Sequence, residues 1–168
     1  MRLMQLPFIV TLALLLAACG FHLRGDAKMP FTSIHLETAN PGSALISELR
    51  DNLQANHVQL TTQADQADVV LNIAYELPEK QILTLGGSGR VSEFQLRYRV
   101  SLRAYDHQQR VWLPAEELQM HRDYAYDDTK ILAKEAEEAL LYQSMRSDMV
   151  QQIVRRLSRA KPVDQAQK

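Results

Sequence analysis

The 168-residue chain has one cysteine, Cys19. An internal disulfide is therefore impossible, and one thiol is too few for a structural zinc site of the cysteine-rich kind. Glycine and proline are scarce, at six each, which excludes a collagen-like repeat or a low-complexity disordered chain. Charge of one sign is not in surplus. The formal net charge is −1, without the basic excess that marks many nucleic-acid binders, so no nucleic-acid partner is expected. Catalytic signatures are missing too. There is no G-x-S-x-G, and Gly86–Gly89 is not followed by the Lys-Ser/Thr of a phosphate loop. His22, His35, His57, His107 and His121 are scattered, with no pair at ligand spacing on a helix face. Glu116-Glu117 and Asp127-Asp128 are sequence neighbours whose side chains diverge. The sequence offers no enzyme, no metal site and no cofactor.

The chain has one long hydrophobic run, the 16 residues Leu3–Ala18, preceded by Arg2. It is shorter than the roughly 20 residues that span a bilayer as a helix, and suits the core of a signal peptide. The run ends in Leu16-Ala17-Ala18-Cys19, which looks like a bacterial lipobox, with the lone cysteine at the position where the chemistry requires it. The expectation is cleavage before Cys19, diacylglycerol on its Sγ, and acylation of the new amino group. Each buried methylene contributes about 0.8 kcal/mol, so two or three acyl chains make an effectively permanent anchor. Gly20 follows where an Asp would favour inner-membrane retention, so the outer membrane is expected. The chain then divides into a signal peptide (1–18), a lipidated tether (19–30), one folded domain (31–161) and a disordered tail (162–168).

Within the domain, apolar spacing sets the elements. Phe31–Thr38 alternates as a short strand. Asn40-Pro41 suits a helix start, and Leu45, Leu49 and Leu53 with Ile46 form one stripe to about Ala55. Val58–Thr61 is a short strand. Asp68–Leu77 alternates at Val69, Leu71, Ile73 and Tyr75, with Pro78 as a break before Ile82–Leu85. The glycines of Gly86–Gly89 mark a turn. Val91–Tyr105 alternates without error: Phe94, Leu96, Tyr98, Val100, Leu102 and Ala104 on one face, and Glu93, Gln95, Arg97, Arg99, Ser101 and Arg103 on the other. That is a strand with one wet face. Val111–Leu113 and Leu118–Tyr126 supply a last strand interrupted near Pro114. Asp127 or Asp128 caps a final helix from Thr129 to Lys161, with apolar positions Leu132, Ala136, Leu140, Met149, Ile153 and Leu157. The order βαβββα predicts an α+β fold, two helices packed on one face of a four-stranded mixed sheet.

Charge is distributed unevenly. Residues 19–79 carry three Lys/Arg against eight Asp/Glu, whereas residues 80–110 carry six against two. Arginine forks match phosphate bidentately, so an anionic amphiphile could dock along Arg97, Arg99 and their neighbours. A solvated sheet face explains the same arginines. Lys130 and Lys134 lie one turn apart at the start of the last helix, where Lys134, Glu137 and Glu138 also read as ordinary helical charge pairing.

Three segments carry a family resemblance: CGFHLRG at Cys19–Gly25, SEFQLRYRVSLRAYD at Ser92–Asp106, and Arg122–Leu157 beginning RDYAYDDTKILAKEAEEALL. Together they resemble the lipopolysaccharide-assembly lipoproteins of the LptE family. The resemblance implies two helices on a four-stranded mixed sheet and a non-enzymatic role in complex with the outer-membrane β-barrel LptD. It also implies help in barrel assembly and lipopolysaccharide delivery, from a lipid-anchored, periplasm-facing position within the barrel lumen. It further implies lipopolysaccharide binding through basic residues near a loop and the last helix. That carries over to Lys134; at the loop position this sequence has Gly87, with Arg90 three residues on as the substitute. Lys130, Arg97 and Arg99 complete the candidate set. The arginine stripe has two competing uses, lipopolysaccharide phosphates or the lumen wall. The alternative to the whole reading is a generic lipid- or peptidoglycan-binding module with no barrel partner.

Overall fold

The computed structural model describes residues 28–163; the expected signal peptide, Cys19, most of the expected tether and residues 164–168 lie outside the described residues. Strand β1 (Ser33–Thr38) leads into helix α1 (Ala44–Ala55), followed by β2 (Gln59–Thr61), β3 (Val69–Leu85), β4 (Val91–Tyr105), β5 (Val111–Ala125) and helix α2 (Ile131–Arg159). Short 3₁₀ turns precede β3 at Ala64–Gln66 and α2 at Asp128–Lys130. The sheet order is β2-β1-β3-β4-β5. β1 runs parallel to β2 and β3, and β3, β4 and β5 form an antiparallel meander.

The class is α+β as expected, but the sheet has five strands rather than four. The fifth is β2, whose three residues follow α1 after a short turn at residues 56–58 and pair in parallel with β1 at the sheet edge. Helix α1 also starts later than Asn40-Pro41 suggests. Ser43 is its N-cap, its Oγ accepting from the Ile46 N–H at 3.2 Å, while the Ser43 N–H donates to the Asn40 carbonyl in the preceding turn.

Both helices cover one face of the sheet. Leu45, Ile46, Leu49 and Leu53 of α1 and Met145, Met149, Val150, Ile153, Val154 and Leu157 of α2 are buried. They join Ile34, Leu71, Ile73, Leu96, Val100 and Leu102 of the sheet in one apolar cluster. Polar bridges fix the helices over it: Arg146 of α2 reaches Glu48 of α1, and Arg156 and Arg122 join α2 to β5 through Glu116 and Asp148.

Two features of β3 depart from the sequence pattern. Pro78 does not break it, and the strand is continuous from Val69 to Leu85. β1 ends opposite Ile73, so beyond that point β3 is an edge strand, where proline is tolerated. In addition, the register slips by one residue between Ile73 and Tyr75. A bulge of this kind exchanges the faces of everything downstream. Leu71 and Ile73 lie on the helix-covered side with Ala104 and Leu102, whereas Tyr75 lies opposite Ser101 on the open side. Tyr75 is therefore not part of the core alternation; it is exposed and donates its hydroxyl to Glu117.

The last helix forms over nearly the expected span, yet its apolar stripe is only half used. Leu132 is 81% exposed and Leu140 66% exposed, because the first three turns project beyond the apolar cluster. What this projecting half meets is the far end of the β3–β4 hairpin.

Candidate functional site

That far end is built by two turns held side by side. In the β3–β4 turn the Gly86 N–H donates to the Arg90 carbonyl at 2.7 Å and the Gly89 N–H to the Gly86 carbonyl at 2.9 Å. Gly89 has φ +76, a left-handed conformation that glycine adopts without steric cost. The β5–α2 connection is tied alongside by the Tyr126 N–H on the Ser92 carbonyl at 2.8 Å. There Asp127 accepts from both the N–H and the hydroxyl of Thr129. These bonds hold its carboxyl below the usual aspartate range, and they make Asp127, not Asp128, the cap of the turn.

Three of the expected cations gather here. Arg90 Nη1 lies 2.9 Å from Asp128, Lys130 Nζ lies 3.8 Å from Asp127, and Lys134 Nζ lies 2.7 Å from Glu137. Lys134 is the most sheltered of them, with its side chain 18% exposed. Around them stand exposed Ile82, Leu83 and Leu85 of β3 and Ile131 and Leu132 of α2. Cations and apolar side chains thus share one end of the molecule, the pairing an amphiphile with anionic groups requires.

Arg97 and Arg99 lie elsewhere, midway along β4 on the open face. Arg99 Nε donates to Glu79 at 3.0 Å, with Glu117 at 3.7 Å from its other arm. The Glu79 bond outweighs burial and raises its already high pKa. Arg97 donates to Gln95 at 2.8 Å and faces His121 across the strand pair. Among the described residues Arg97 has no carboxylate within ion-pair distance, so it is the less committed of the two.

A polar cluster that the sequence did not single out joins the projecting half of α2 to the hairpin. Glu138 accepts from Lys80 Nζ at 2.5 Å and from the Tyr124 hydroxyl at 2.7 Å. The Lys80 ammonium sits 4.1 Å from the centroid of the Phe94 ring, with Tyr124 and Tyr126 both at 5.8 Å, a cation over aromatic faces. Burial and the Glu138 bond push the Tyr124 hydroxyl up to about 12. Burial alone would raise the Glu138 carboxyl, but the Lys80 and Tyr124 bonds outweigh it and hold it below the usual range. Nearby the Tyr142 hydroxyl donates to the Glu79 carbonyl at 2.8 Å. The only hint in the sequence was Lys80 at the start of the basic segment 80–110.

Comparison with known proteins decides the family. The profile of the LptE lipopolysaccharide-assembly family matches residues 31–157. The chain belongs to the LptE family. It is similar to the LPS-assembly lipoprotein LptE of Yersinia pestis, 30% identical over 94% of this chain and 77% of the relative. The same protein of Pectobacterium atrosepticum is 26% identical over 94% and 86%. Solved structures give the same picture. Lipoprotein B from Nitrosomonas europaea is 34% identical, covering 83% of this chain and 90% of its own, with a TM-score of 0.71. A minor lipoprotein from Acinetobacter baumannii is 27% identical, covering 81% and 98%, with a TM-score of 0.65. The LptE match takes in the hairpin turn, the cap of α2 and both helices, and the family's role in lipopolysaccharide assembly is non-enzymatic. No helix among the described residues is long and apolar enough to cross a membrane.

Proposed function

We propose that this protein is an outer-membrane lipoprotein, anchored through Cys19, that complexes with the LptD β-barrel and helps deliver lipopolysaccharide to the cell surface. It faces the periplasm and sits within the barrel lumen, with the hairpin-and-helix end as its lipopolysaccharide contact. The observation that carries this reading is the gathering of Arg90, Lys130 and Lys134 beside exposed Ile82, Leu85, Ile131 and Leu132. Lipopolysaccharide presents phosphates and acyl chains together, and a site for it needs cations and apolar side chains within one molecule's span. The open sheet face, striped with polar groups, suits hydrogen bonding to a lumen wall, and this is the role assigned to Arg97 and Arg99.

Replacing Arg90 and Lys134 together by Gln should weaken lipopolysaccharide binding roughly tenfold, the effect of losing two charge-assisted contacts. The thermal midpoint should stay nearly unchanged, because the Arg90–Asp128 pair is exposed and the Lys134–Glu137 pair is a local helical pair, each contributing about 0.5 kcal/mol or less. Titration of labelled lipopolysaccharide beside a melting curve reads both, and an equal loss from Arg103→Ala alone would move the contact to the sheet face. Cys19→Ala should leave the domain folded while releasing it from membranes, read by fractionation and circular dichroism. The test of the partner is a pull-down of the tagged, lipidated protein from detergent-solubilised outer membranes. One large β-barrel at equal stoichiometry supports the complex; a well-folded protein with no barrel partner favours the generic lipid- or peptidoglycan-binding module.

A further inference from the structure

At the opposite end of the molecule, the last turns of α2 and the start of β5 frame an open groove of about 620 Å³. One wall is apolar, made by Trp112, Leu113 and Pro114; the other is basic, made by Arg155, Arg156, Arg159 and Lys161. Arg156 is neutralised by Glu116 at 2.7 Å. Arg155, Arg159 and Lys161 are exposed and have no carboxylate within ion-pair distance among the described residues. The helix dipole favours cations in this last turn, but it does not account for their placement around an indole. That indole is held rigidly: Trp112 Nε1 donates to Asp106 at 3.2 Å, and its ring meets Phe31 edge-on at 5.8 Å.

We infer that this groove binds the phosphate-bearing headgroup of an anionic membrane phospholipid. Free cations supply the charge, and Trp112 with Leu113 supplies an apolar flank that inorganic phosphate would not use. The position of the groove selects the lipid source. Phe31, on Trp112, is where the chain arrives from its N-terminal segment, and Cys19 lies twelve residues upstream. Even fully extended, that segment spans only roughly 40 Å, so an anchor on Cys19 keeps the groove close to a bilayer surface. This choice of source rests on the lipidation proposed above; the groove itself does not.

Trp112 is the chain's one tryptophan and reports on the site directly. The lipidated protein is reconstituted in phosphatidylcholine vesicles carrying a headgroup nitroxide quencher, with and without phosphatidylglycerol. Quenching and a blue shift are expected only with phosphatidylglycerol. In the Arg155→Gln, Arg159→Gln double variant, the phosphatidylglycerol fraction giving half the response should rise roughly tenfold, as expected for two cations lost at an anionic surface. Its near-ultraviolet circular dichroism should be unchanged. Equal quenching in phosphatidylcholine alone, or a response the double variant retains, overturns the proposal. The same Trp112 response to inorganic phosphate without vesicles also overturns it, by assigning the groove to a free anion. Flotation with phosphatidylcholine vesicles reads the anchor separately, so loss of flotation counts against Cys19 lipidation and not against the groove.

Discussion

Arg97→Pro should abolish cooperative folding, whereas Arg97→Ala should fold normally. β4 is paired along its length with β3 on one side and β5 on the other, so each of its N–H groups faces a neighbouring strand. Proline at Arg97 removes a ladder hydrogen bond and places its ring against the partner strand, at a cost of about 3 kcal/mol or more. Domains of this size have roughly 5–15 kcal/mol in total. The alanine variant isolates the backbone effect, since among the described residues the Arg97 side chain bonds only Gln95 on its own strand. Far-ultraviolet circular dichroism and a thermal melt distinguish the two, and a proline variant that melts like the alanine variant would mean that β4 is not the central strand of the meander. Natural sequence obeys the same rule: Pro78 and Pro114 lie in β3 where it has become an edge and in the outermost strand β5, the latter where the register slips.

The second large effect is expected at Asp106, which is 1% exposed. Oδ1 accepts from the Gln108 and Arg110 N–H groups at 2.9 and 3.0 Å, and Oδ2 from Arg110 Nε at 2.8 Å and Trp112 Nε1 at 3.2 Å. One carboxylate thus organises the whole β4–β5 turn, including Gln109 at φ 60. Asp106→Ala leaves these donors without their acceptor and should cost about 2–4 kcal/mol. Burial alone would raise this carboxyl, but the bonds from Trp112 and Arg110 outweigh it and hold it below the ordinary 3.8. The sign of the pH dependence follows. Because the folded value lies below the unfolded one, the stabilisation is fully present above the unfolded value and is lost as pH falls through the folded one. The difference in melting temperature between wild type and Asp106→Asn should therefore be constant near neutrality and shrink below about pH 4. Trp112 emission gives a local reading of the same loss, and a difference that persists unchanged to pH 2 would mean the charge is not what stabilises the turn.

Much of this fold is legible because the periodicities are long. Six apolar residues alternating with six polar ones leave β4 no other reading, and a Gly- and Pro-free stretch after Asp128 defines α2. What was not legible depends on partners remote in sequence. A bulge after Ile73 has no local signature, since Ala74 suits either face, so Tyr75 read as a core residue. β2 read as a short strand but was left out of the four-stranded sheet, because so few residues do not show which neighbour they pair with, and Pro78 breaks a strand only where a neighbour needs its N–H. Ser43 displaced Asn40 as cap because its hydroxyl, and not the Asn40 amide, meets the Ile46 N–H. The candidate site divides similarly. Lys134, and Arg90 as the loop substitute, were nameable through the family resemblance, with Lys130 one turn before Lys134; their charge pattern alone read as ordinary helical pairing. The Lys80–Glu138–Tyr124 cluster joins three elements, and the groove at the end of α2 had only the run Arg155, Arg156, Arg159 and Lys161 to announce it.

The partial burial of α2 also divides the domain into zones of different local stability. From Met145 onward the helix is locked by apolar packing, so opening its amides approaches global unfolding. From Ile131 to Tyr142 it is retained mainly by Lys80, Glu138, Tyr124 and Tyr142, a handful of polar bonds at a partly wet surface. Such a segment detaches as its own low-energy foldon while the rest stays native. On the proposed function, the end of the molecule that carries Arg90, Lys130 and Lys134 is then the part best placed to reshape around a bulky amphiphile, because opening it leaves the apolar packing from Met145 onward in place.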